Sequence, residues 1–411
     1  MSKIKLTNNF KGIIDTTLRD GQQSPLLFDT YTYRFSLDDK LTLVKGLLES
    51  GVRMFEFFAP VVSDIERDDF ASIQSYIRSK TDDVMLLAHC RCHPADIEQA
   101  LDAGFDGINL YIGITEHAQK YSHGMNFSEI KDRVIPVIKE ARKNNPDLYI
   151  RFSVEDAFRT DLTHIYELYD SIWEYVNTFG MPDTVGIATP TMVYDRVTAL
   201  KKRYPTVDLE CHFHNDRGYS LVNATTAVLA GASYIDTSIW GMAERSGITS
   251  FTGLLFNLFQ EDRALCSKYK IELSYPLNVL MASILKYHVP YNEPISITNR
   301  THTAGVHQNA MIHNKCMYEA VDLADFGVTK NQLLLGPLSG WNLIYYFLRE
   351  FHFIDISKEQ AREIAQEFKM SAHTIGRGKK PEAVLLELVR QKNYQKIPVQ
   401  VRDLKKRIEH F

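Results

Sequence analysis

The sequence predicts an α/β fold, a (β/α)8 TIM barrel followed by a smaller, mainly helical C-terminal subdomain. Short apolar, β-rich runs alternate with longer amphipathic runs through the first two-thirds of the 411 residues, and this alternation is typical of parallel βαβ units. About eight such units in about 250 residues match the size of a closed barrel. The first strand-like run is followed by Thr-Thr-Leu-Arg-Asp-Gly, and the absence of a glycine-rich phosphate turn there counts against a doubly wound sheet.

We assign residues 1–285 to the barrel and residues 286–411 to the helical subdomain, because the alternation stops near residue 285 and a run rich in Pro, Asn and Tyr follows. Between the predicted strands, apolar residues recur at helical spacing. The predicted strands cover residues 12–15, 54–58, 85–89, 107–112, 148–153, 184–188, 208–214 and 234–239. The predicted helices cover residues 38–50, 93–103, 128–144, 162–178, 191–204, 221–230, 341–350, 358–368 and 381–392.

The bulk composition argues against several classes of partner. A net charge of -4, with acidic and basic residues spread along the chain, argues against nucleic acid or an anionic membrane as a ligand. No run of about 18 apolar residues is present, which argues against a membrane span. The five cysteines are odd in number, and residues 1–10 lack the apolar core of a secretory signal. We therefore expect a cytoplasmic protein that acts on small molecules.

Polar residues concentrate where the predicted strands end, which is where the catalytic groups of a (β/α)8 barrel collect. His212 and His214 are two residues apart in a predicted strand, so both imidazoles point to the same face. Asp20 follows the first strand and opens on the same end of the barrel. Two imidazoles and a carboxylate suit Zn, Mn or a similar divalent ion. On spacing alone, the alternative is a packed histidine pair.

Arg19 lies beside Asp20 in the sequence. An arginine next to a metal site is suited to stabilising negative charge on a substrate or transition state. The alternative for Arg19 is a salt bridge with a neighbouring carboxylate.

Two motifs together resemble the DRE-TIM metallolyase superfamily, which includes isopropylmalate, citramalate and homocitrate synthases and hydroxymethylglutaryl-CoA lyase. The motifs are Asp15-Thr-Thr-Leu-Arg-Asp-Gly-Gln-Gln23 and His212-Phe-His-Asn-Asp216. The resemblance is greatest to the homocitrate synthases and covers nearly the whole chain, with supporting stretches at residues 151–159, 183–190 and 304–307. It implies that the helical segment forms linker subdomains, which contribute to the partner subunit's active site in a domain-swapped homodimer.

The resemblance also implies roles for individual residues. Asp20, His212 and His214 correspond to the ligands of a divalent metal ion, which is Zn, Mn or Mg. The residues that correspond to catalytic groups are Arg19, which steadies charge on the substrate oxygen, and Glu155, His307 and Tyr318, which act on acetyl-CoA. The residues that correspond to the binding site of the 2-oxo acid are Gln23, His89, Arg151, Ser153 and Thr184.

The implied reaction is a Claisen condensation of acetyl-CoA with a 2-oxo acid, followed by hydrolysis of the thioester. The resemblance favours 2-oxoglutarate as the acceptor and homocitrate as the product, as in the aminoadipate route of lysine biosynthesis. Oxaloacetate, pyruvate and 2-oxoisovalerate are the alternative acceptors. Two departures from the family pattern bear on this choice: residues 28–34 make a longer loop after the first strand, and Phe58 and Ala59 replace more polar residues after the second.

Two other functions compete with the synthase. A retro-aldol lyase of the same superfamily usually carries a catalytic cysteine in the loop after the last strand, and residues 241–247 contain none. A non-catalytic metal-binding scaffold has no need of Arg19, Glu155 and His307. We therefore favour the synthase.

Overall fold

The computed structural model describes residues 9–374, 376 and 378–398. The chain forms two compact units, which divide between Pro294 and Ile295. The sequence-based boundary after residue 285 coincides with the end of the last helix of the first unit, Ser274–Leu285.

The first unit contains a closed barrel of eight parallel strands in sequential order, in which the first strand pairs with the last. This architecture confirms the predicted fold class. The strands are β1 (Gly12–Asp15), β2 (Met54–Phe58), β3 (Met85–Arg91), β4 (Gly107–Gly113), β5 (Tyr149–Glu155), β6 (Thr178–Asp183), β7 (Asp208–Phe213) and β8 (Tyr234–Thr237).

Helices connect successive strands, and most begin with a side chain that caps the free backbone N–H groups of the first turn. Ser36 and Asn126, for example, each form a capping box with the residue three positions later. The helices of the first unit are α1 (Leu26–Asp29), α2 (Leu37–Glu49), α3 (Asp64–Arg78), α4 (Pro94–Asp102), α5 (Glu116–Ala118), α6 (Phe127–Asn144), α7 (Leu162–Asp170), α8 (Pro190–Arg203), α9 (Ser220–Ala230), α10 (Phe251–Glu261) and α11 (Ser274–Leu285).

Alternate residues of each strand face outward to the helices and inward to the barrel axis. The outward side chains are apolar; Phe57 of β2, for example, packs against Phe70 of α3 with ring centroids 5.3 Å apart. Inside the barrel, Ile14, Met54 and Leu87 form a separate apolar cluster near the amino ends of their strands. The next inward residues towards the carboxyl ends are the polar Thr16, Glu56 and His89, so an apolar layer supports the polar site above it.

The sixth strand was expected at residues 184–188, and this prediction is wrong. β6 is Thr178–Asp183, and the preceding helix ends at Asp170 instead of continuing to residue 178. Gly180 and Pro182 disrupt the β-rich pattern of β6, although its pairing with β7 is complete. Residues 184–188 form the turn after β6, where the Asp183 carboxylate accepts hydrogen bonds from the N–H groups of Ile187 and Ala188.

The second unit is mainly helical, as predicted. Its own apolar core includes Ile344, Phe368 and Leu385, and two short strands, β9 (Thr301–His302) and β10 (Gln332–Leu333), pair in parallel. Its helices are α12 (Gly305–His313), α13 (Trp341–Tyr346), α14 (Lys358–His373) and α15 (Pro381–Gln391). Among the residues described in both units, none of the helices is long and apolar enough to cross a membrane.

Candidate active site

A polar cavity of about 190 Å³ opens at the carboxyl ends of the barrel strands. A parallel barrel delivers the last residues of every strand to this end. A larger cavity, of about 790 Å³, lies at the amino ends of β1, β2, β3 and β8, where no site was predicted. The predicted site residues that line the polar cavity are Arg19, Asp20, Gln23, His89, Arg151, Ser153, Glu155, Thr184, His212 and His214.

Asp20, His212 and His214 form a buried cluster whose candidate ligand atoms all lie within 4.8 Å of one another. Asp20 begins the short 3-10 turn that follows β1. His212 lies in β7 and His214 is the first residue after it. The two-residue period of the strand turns both rings to the cavity, with their centroids 5.0 Å apart.

The donor atoms of this cluster fit a divalent metal ion. Asp20 Oδ2 lies 3.0 Å from Arg19 Nη1 and 3.3 Å from His212 Nε2, but it accepts no hydrogen bond. The buried His214 Nδ1 has no hydrogen-bond partner among the described residues. Buried polar atoms rarely stay unsatisfied in proteins, so these two atoms match the positions of metal ligands.

The protonation states of the cluster also suit a metal. Burial and the proximity of His212 lower the pKa of His214 to about 3, so its imidazole is neutral and keeps a free lone pair at neutral pH. Burial by itself raises the pKa of the Asp20 carboxyl, but the positive charge of Arg19 and the nearby His212 outweigh burial, and the pKa is lowered. A neutral imidazole and an ionised carboxylate are the forms that bind metal.

Arg19 lies between this cluster and Glu56, the inward-facing residue of β2. Its Nε donates to Glu56 Oε1 at 3.0 Å, and its Nη2 lies 2.7 Å from the same oxygen. Burial opposes the charge of both groups, but Asp20 and Glu56 together raise the pKa of Arg19. Arg151 and Arg19 together hold the pKa of Glu56 well below its usual range. Glu56 therefore holds a permanently charged guanidinium against the cluster of Asp20, His212 and His214, with Nη1 directed towards Asp20.

Arg151 is almost fully buried at the base of the cavity, and carboxylates surround it. Its Nη2 pairs closely with Glu56, and its Nη1 donates to Asp236 Oδ1 at 3.0 Å. A third acidic residue, Glu210, lies 3.8 Å from Nη1. Nε is buried and, unlike the two terminal nitrogens, has no hydrogen-bond partner in the described chain.

Two hydroxyl groups line the same wall of the cavity. Ser153 donates from Oγ to Asn109 Oδ1 at 2.9 Å. Thr184 Oγ1 accepts a hydrogen bond from the backbone N–H of Asp156 at 2.8 Å. Because that oxygen already accepts, the hydroxyl proton of Thr184 is free to be donated into the cavity, where a carboxylate is a suitable acceptor.

The side chain of His89 stacks on Tyr111, with ring centroids 4.4 Å apart. Its Nδ1 lies 3.1 Å from Glu56 Oε1 and 3.1 Å from the Asn109 amide nitrogen. Burial and the charge of Arg19 lower the pKa of His89, so its imidazole is neutral at neutral pH. His89 therefore adds an uncharged polar edge to the cavity.

Glu155 and Gln23 lie nearer the cavity opening. Glu155 ends β5 and is partly buried, and Gln23 is exposed. Burial and the neighbouring Asp156 raise the pKa of the Glu155 carboxyl. A carboxylate with a raised pKa is a stronger base than an exposed one.

The remaining predicted residues, His307 and Tyr318, belong to the second unit. Their rings stack with centroids 3.9 Å apart, and both side chains are exposed. His307 lies in α12, and Tyr318 follows a 3-10 turn after it. These two residues, which are 11 positions apart in the sequence, are therefore in direct contact in the structure.

Three buried polar residues of the cavity were not chosen from the sequence. They are Asn109, Glu210 and Asp236, which extend inward from β4, β7 and β8. Asp236 lies between Ile235 and Thr237, whereas Asn109 and Glu210 are single polar residues flanked by apolar neighbours within a strand, as in Ile108-Asn109-Leu110. That pattern is the signal that identifies them, because a lone polar residue inside a buried strand needs a polar partner within the barrel.

Comparison with known proteins extends over nearly the whole chain. The curated relatives include the mitochondrial homocitrate synthases of Yarrowia lipolytica, 35% identical over 87% of this chain and 78% of that protein, and of Schizosaccharomyces pombe, 36% identical over 89% and 84%. The cytosolic homocitrate synthase isozyme of Saccharomyces cerevisiae is 34% identical over 88% of this chain and 82% of that protein.

Solved structures resemble the barrel. A hydroxymethylglutaryl-CoA lyase from Bacillus subtilis superposes with a TM-score of 0.57, at 22% identity, over 69% of this chain and 96% of its own. At this identity the likeness shows the fold alone. Residues 297–375 match the family described as the homocitrate synthase post-HMGL domain. Residues 11–275 match the HMGL-like family, and the chain therefore belongs to that family.

Proposed function

We propose that this protein is a homocitrate synthase, an acyltransferase that condenses acetyl-CoA with 2-oxoglutarate to give homocitrate and CoA. The observation that carries the proposal is the set of homocitrate synthases that are 34% to 36% identical to the chain over most of its length. The match of residues 297–375 to the domain that follows the barrel in homocitrate synthases supports the same conclusion. The cavity contains groups that would bind a divalent metal ion and a 2-oxo acid.

Asp20, His212 and His214 would hold the divalent metal, which is Zn, Mn or Mg. When bound, such an ion supplies Lewis-acid polarisation of the 2-oxo group. Arg19 stands beside this position, and its charge is fixed by Glu56. We infer that Arg19 stabilises the negative charge that develops on the former keto oxygen as the carbon–carbon bond forms.

The free donors at the base and wall of the cavity would orient the 2-oxo acid. The Thr184 hydroxyl and Arg151 Nε each offer one N–H or O–H to a carboxylate. Ser153 can turn its hydroxyl from Asn109 to the ligand, and His89 and Gln23 complete the proposed acid-binding set. Holding both carboxylates of 2-oxoglutarate fixes the keto carbon in one orientation for attack.

A base must remove a proton from the methyl group of acetyl-CoA, which is a very weak acid. We infer that His307 takes this proton, with Tyr318 stacked on its ring and Glu155 assisting. The resulting enolate attacks the keto carbon, and the new oxyanion takes a proton. Water then cleaves the thioester, which releases CoA and leaves the third carboxylate of homocitrate.

We further propose that His307 and Tyr318 act in the active site of a partner subunit, in a domain-swapped homodimer. Mixing two inactive variants tests this arrangement. Asp20→Asn removes a proposed metal ligand and His307→Gln removes the proposed base; mixed dimers that exchange subunits regain one intact site and therefore activity. Absence of recovered activity in confirmed mixed dimers contradicts the swap.

The synthase itself is tested by thiol release. Purified protein is incubated with acetyl-CoA, Mn²⁺ or Zn²⁺ and each of four acids: 2-oxoglutarate, oxaloacetate, pyruvate and 2-oxoisovalerate. We expect CoA release with 2-oxoglutarate and loss of that release in His214→Ala. Release with another acid alone overturns the acceptor but keeps the class, and absence of release with every acid overturns the synthase.

We propose a cytoplasmic location for this protein. One of the relatives named above is a cytosolic isozyme, while two are mitochondrial. Fractionation of the source cells, with the protein detected by antibody, tests the location; recovery in an organelle fraction contradicts it.

A further inference from the structure

Asp236 is the inward residue of β8 and occupies the centre of the buried charge cluster. It is 1% exposed. Its Oδ1 accepts a hydrogen bond from Arg151 Nη1 at 3.0 Å, and its Oδ2 lies 3.4 Å from Arg151 Nη2. The same Oδ2 lies 3.3 Å from Nδ1 of His212. One carboxylate thus contacts both a proposed metal ligand and a proposed substrate-binding arginine.

We propose that Asp236 is a positioning residue that sets the tautomer of His212 for metal binding. The inference rests on the proposed metal site of Asp20, His212 and His214. The carboxylate of Asp236 already accepts from an arginine, so it also acts as an acceptor towards His212, and Nδ1 carries the proton. Nε2 then keeps the lone pair, and Nε2 is the nitrogen that faces Asp20 Oδ2 at 3.3 Å.

The pair His212–Asp236 therefore has the arrangement in which a carboxylate orients a metal-bound imidazole through its other nitrogen. Such outer partners fix the ring and raise its basicity, and their loss typically weakens metal binding roughly 10- to 100-fold. The unsatisfied Nδ1 of His214 is the nitrogen assigned to the metal above, and His212 is the imidazole that a carboxylate contacts through its other nitrogen.

Asp236→Asn tests the inference because it reverses the hydrogen-bond polarity with little change of shape. Arg151 offers only donors, so the new amide oxygen turns to Arg151 and the amide N–H₂ faces His212. That N–H₂ donates to Nδ1, which moves the imidazole proton to Nε2 and blocks the ligand atom. We expect the affinity for Zn²⁺ or Mn²⁺ to fall roughly 10- to 100-fold, measured on metal-stripped protein by competition with a chromophoric chelator.

Glu56→Gln is the matched control. It removes a buried carboxylate from the same cluster, and Glu56 contacts Arg19 and Arg151 but not His212. Because Glu56→Gln leaves the charge of Arg19 less compensated beside Asp20, we expect it to lower the metal affinity, but less than Asp236→Asn does. Equal losses in both variants overturn the proposal in favour of a simple charge effect, and unchanged affinity in Asp236→Asn overturns it outright.

A readout specific to the ligand set accompanies the affinity. The visible spectrum of the Co²⁺-loaded protein reports the coordinating atoms, and we expect it to change in Asp236→Asn and not in Glu56→Gln. If Asp236→Asn does not fold, as judged by circular dichroism, the double variant Arg151→Met with Asp236→Leu replaces it. The double variant removes a matched pair of charges, so no arginine is left short of a carboxylate. It also leaves Nδ1 of His212 without its acceptor, so a loss of metal affinity is again expected.

The outcomes distinguish this inference from the proposed function. Wild-type protein that binds no divalent metal overturns both. Wild-type protein that binds metal and releases thiol, together with an Asp236→Asn variant of unchanged affinity and Co²⁺ spectrum, overturns the positioning role alone.

Discussion

Gly180 of β6 offers a direct steric test of the acid-binding wall. A Cβ built at this position would overlap Ser153 Oγ and would lie 2.8 Å from Ser153 Cβ and 3.0 Å from Glu210 Oε2. The φ angle of Gly180 lies outside the left-handed region, so the backbone itself tolerates alanine. Gly180→Ala therefore acts mainly through the space that Ser153 occupies.

The size of the effect follows from the contacts that must change. Inserting a methyl group into a packed interior costs about 1–3 kcal/mol, and loss of the hydrogen bond from Ser153 to Asn109 costs about 1 kcal/mol more. Displacement of Ser153 also removes one proposed donor to the 2-oxo acid. A hydrogen bond to a charged group contributes about 1.5–3 kcal/mol, so we expect KM for 2-oxoglutarate to rise roughly 10- to 100-fold.

Two measurements check this expectation: thiol release as a function of 2-oxoglutarate concentration, and unfolding by urea. Gly336→Ala is the control for the glycine-to-alanine change, because a Cβ at Gly336 meets no atom within 4 Å. In a Ser153→Ala background the main overlap disappears, so Gly180→Ala should add much less than it does alone. The reasoning is refuted if Gly180→Ala behaves like Gly336→Ala, or if its effect adds in full to that of Ser153→Ala.

Three further predictions concern stability, metal and the loop after β8. Burial raises the pKa of Asp15 to about 7 from its ordinary 3.8, so this group's contribution to stability is complete below about pH 4 and lost by about pH 7. Asp15→Asn lacks this titration, so its free energy of unfolding in urea should rise by about 4 kcal/mol relative to wild type between pH 4 and 8. A difference that stays constant over this range contradicts the prediction. Removal of metal with a chelator should abolish thiol release, and added Mn²⁺ or Zn²⁺ should restore it in wild type but not in His214→Ala. Full activity after verified removal of the metal refutes the metal requirement. Arg245 donates to the carbonyl oxygen of Thr184 at 2.7 Å and forms a salt bridge with Asp216. Because these contacts are partly exposed, Arg245→Ala should raise KM for the 2-oxo acid only roughly 2- to 5-fold. An unchanged KM would mean that Arg245 does not position Thr184.

Much of the fold follows from local pattern. A strand that is buried on both faces and a helix with one apolar face differ in the spacing of their apolar residues, so most elements of the barrel were predictable. β6 was not, because Gly180 and Pro182 are read as breakers by any local rule. Whether a strand can contain these two residues depends on its neighbours. The side chain of Ser153 fills the space left by the missing side chain of Gly180, and Pro182 lies near the end of a strand whose whole length pairs with β7.

The sequence by itself determined the fold class, the family resemblance and the residue types of the proposed metal site. Strand periodicity places His212 and His214 on one face, and barrel topology brings Asp20 to the same end. Only the tertiary structure decided which groups neutralise one another. Arg151, chosen for a substrate carboxylate, has both terminal nitrogens engaged by Glu56 and Asp236. These residues are far apart in the sequence and come into contact only when the barrel closes. Because the protein interior has a low dielectric constant, each charged group there pairs strongly with its neighbours, and only the groups left unpaired can bind a ligand.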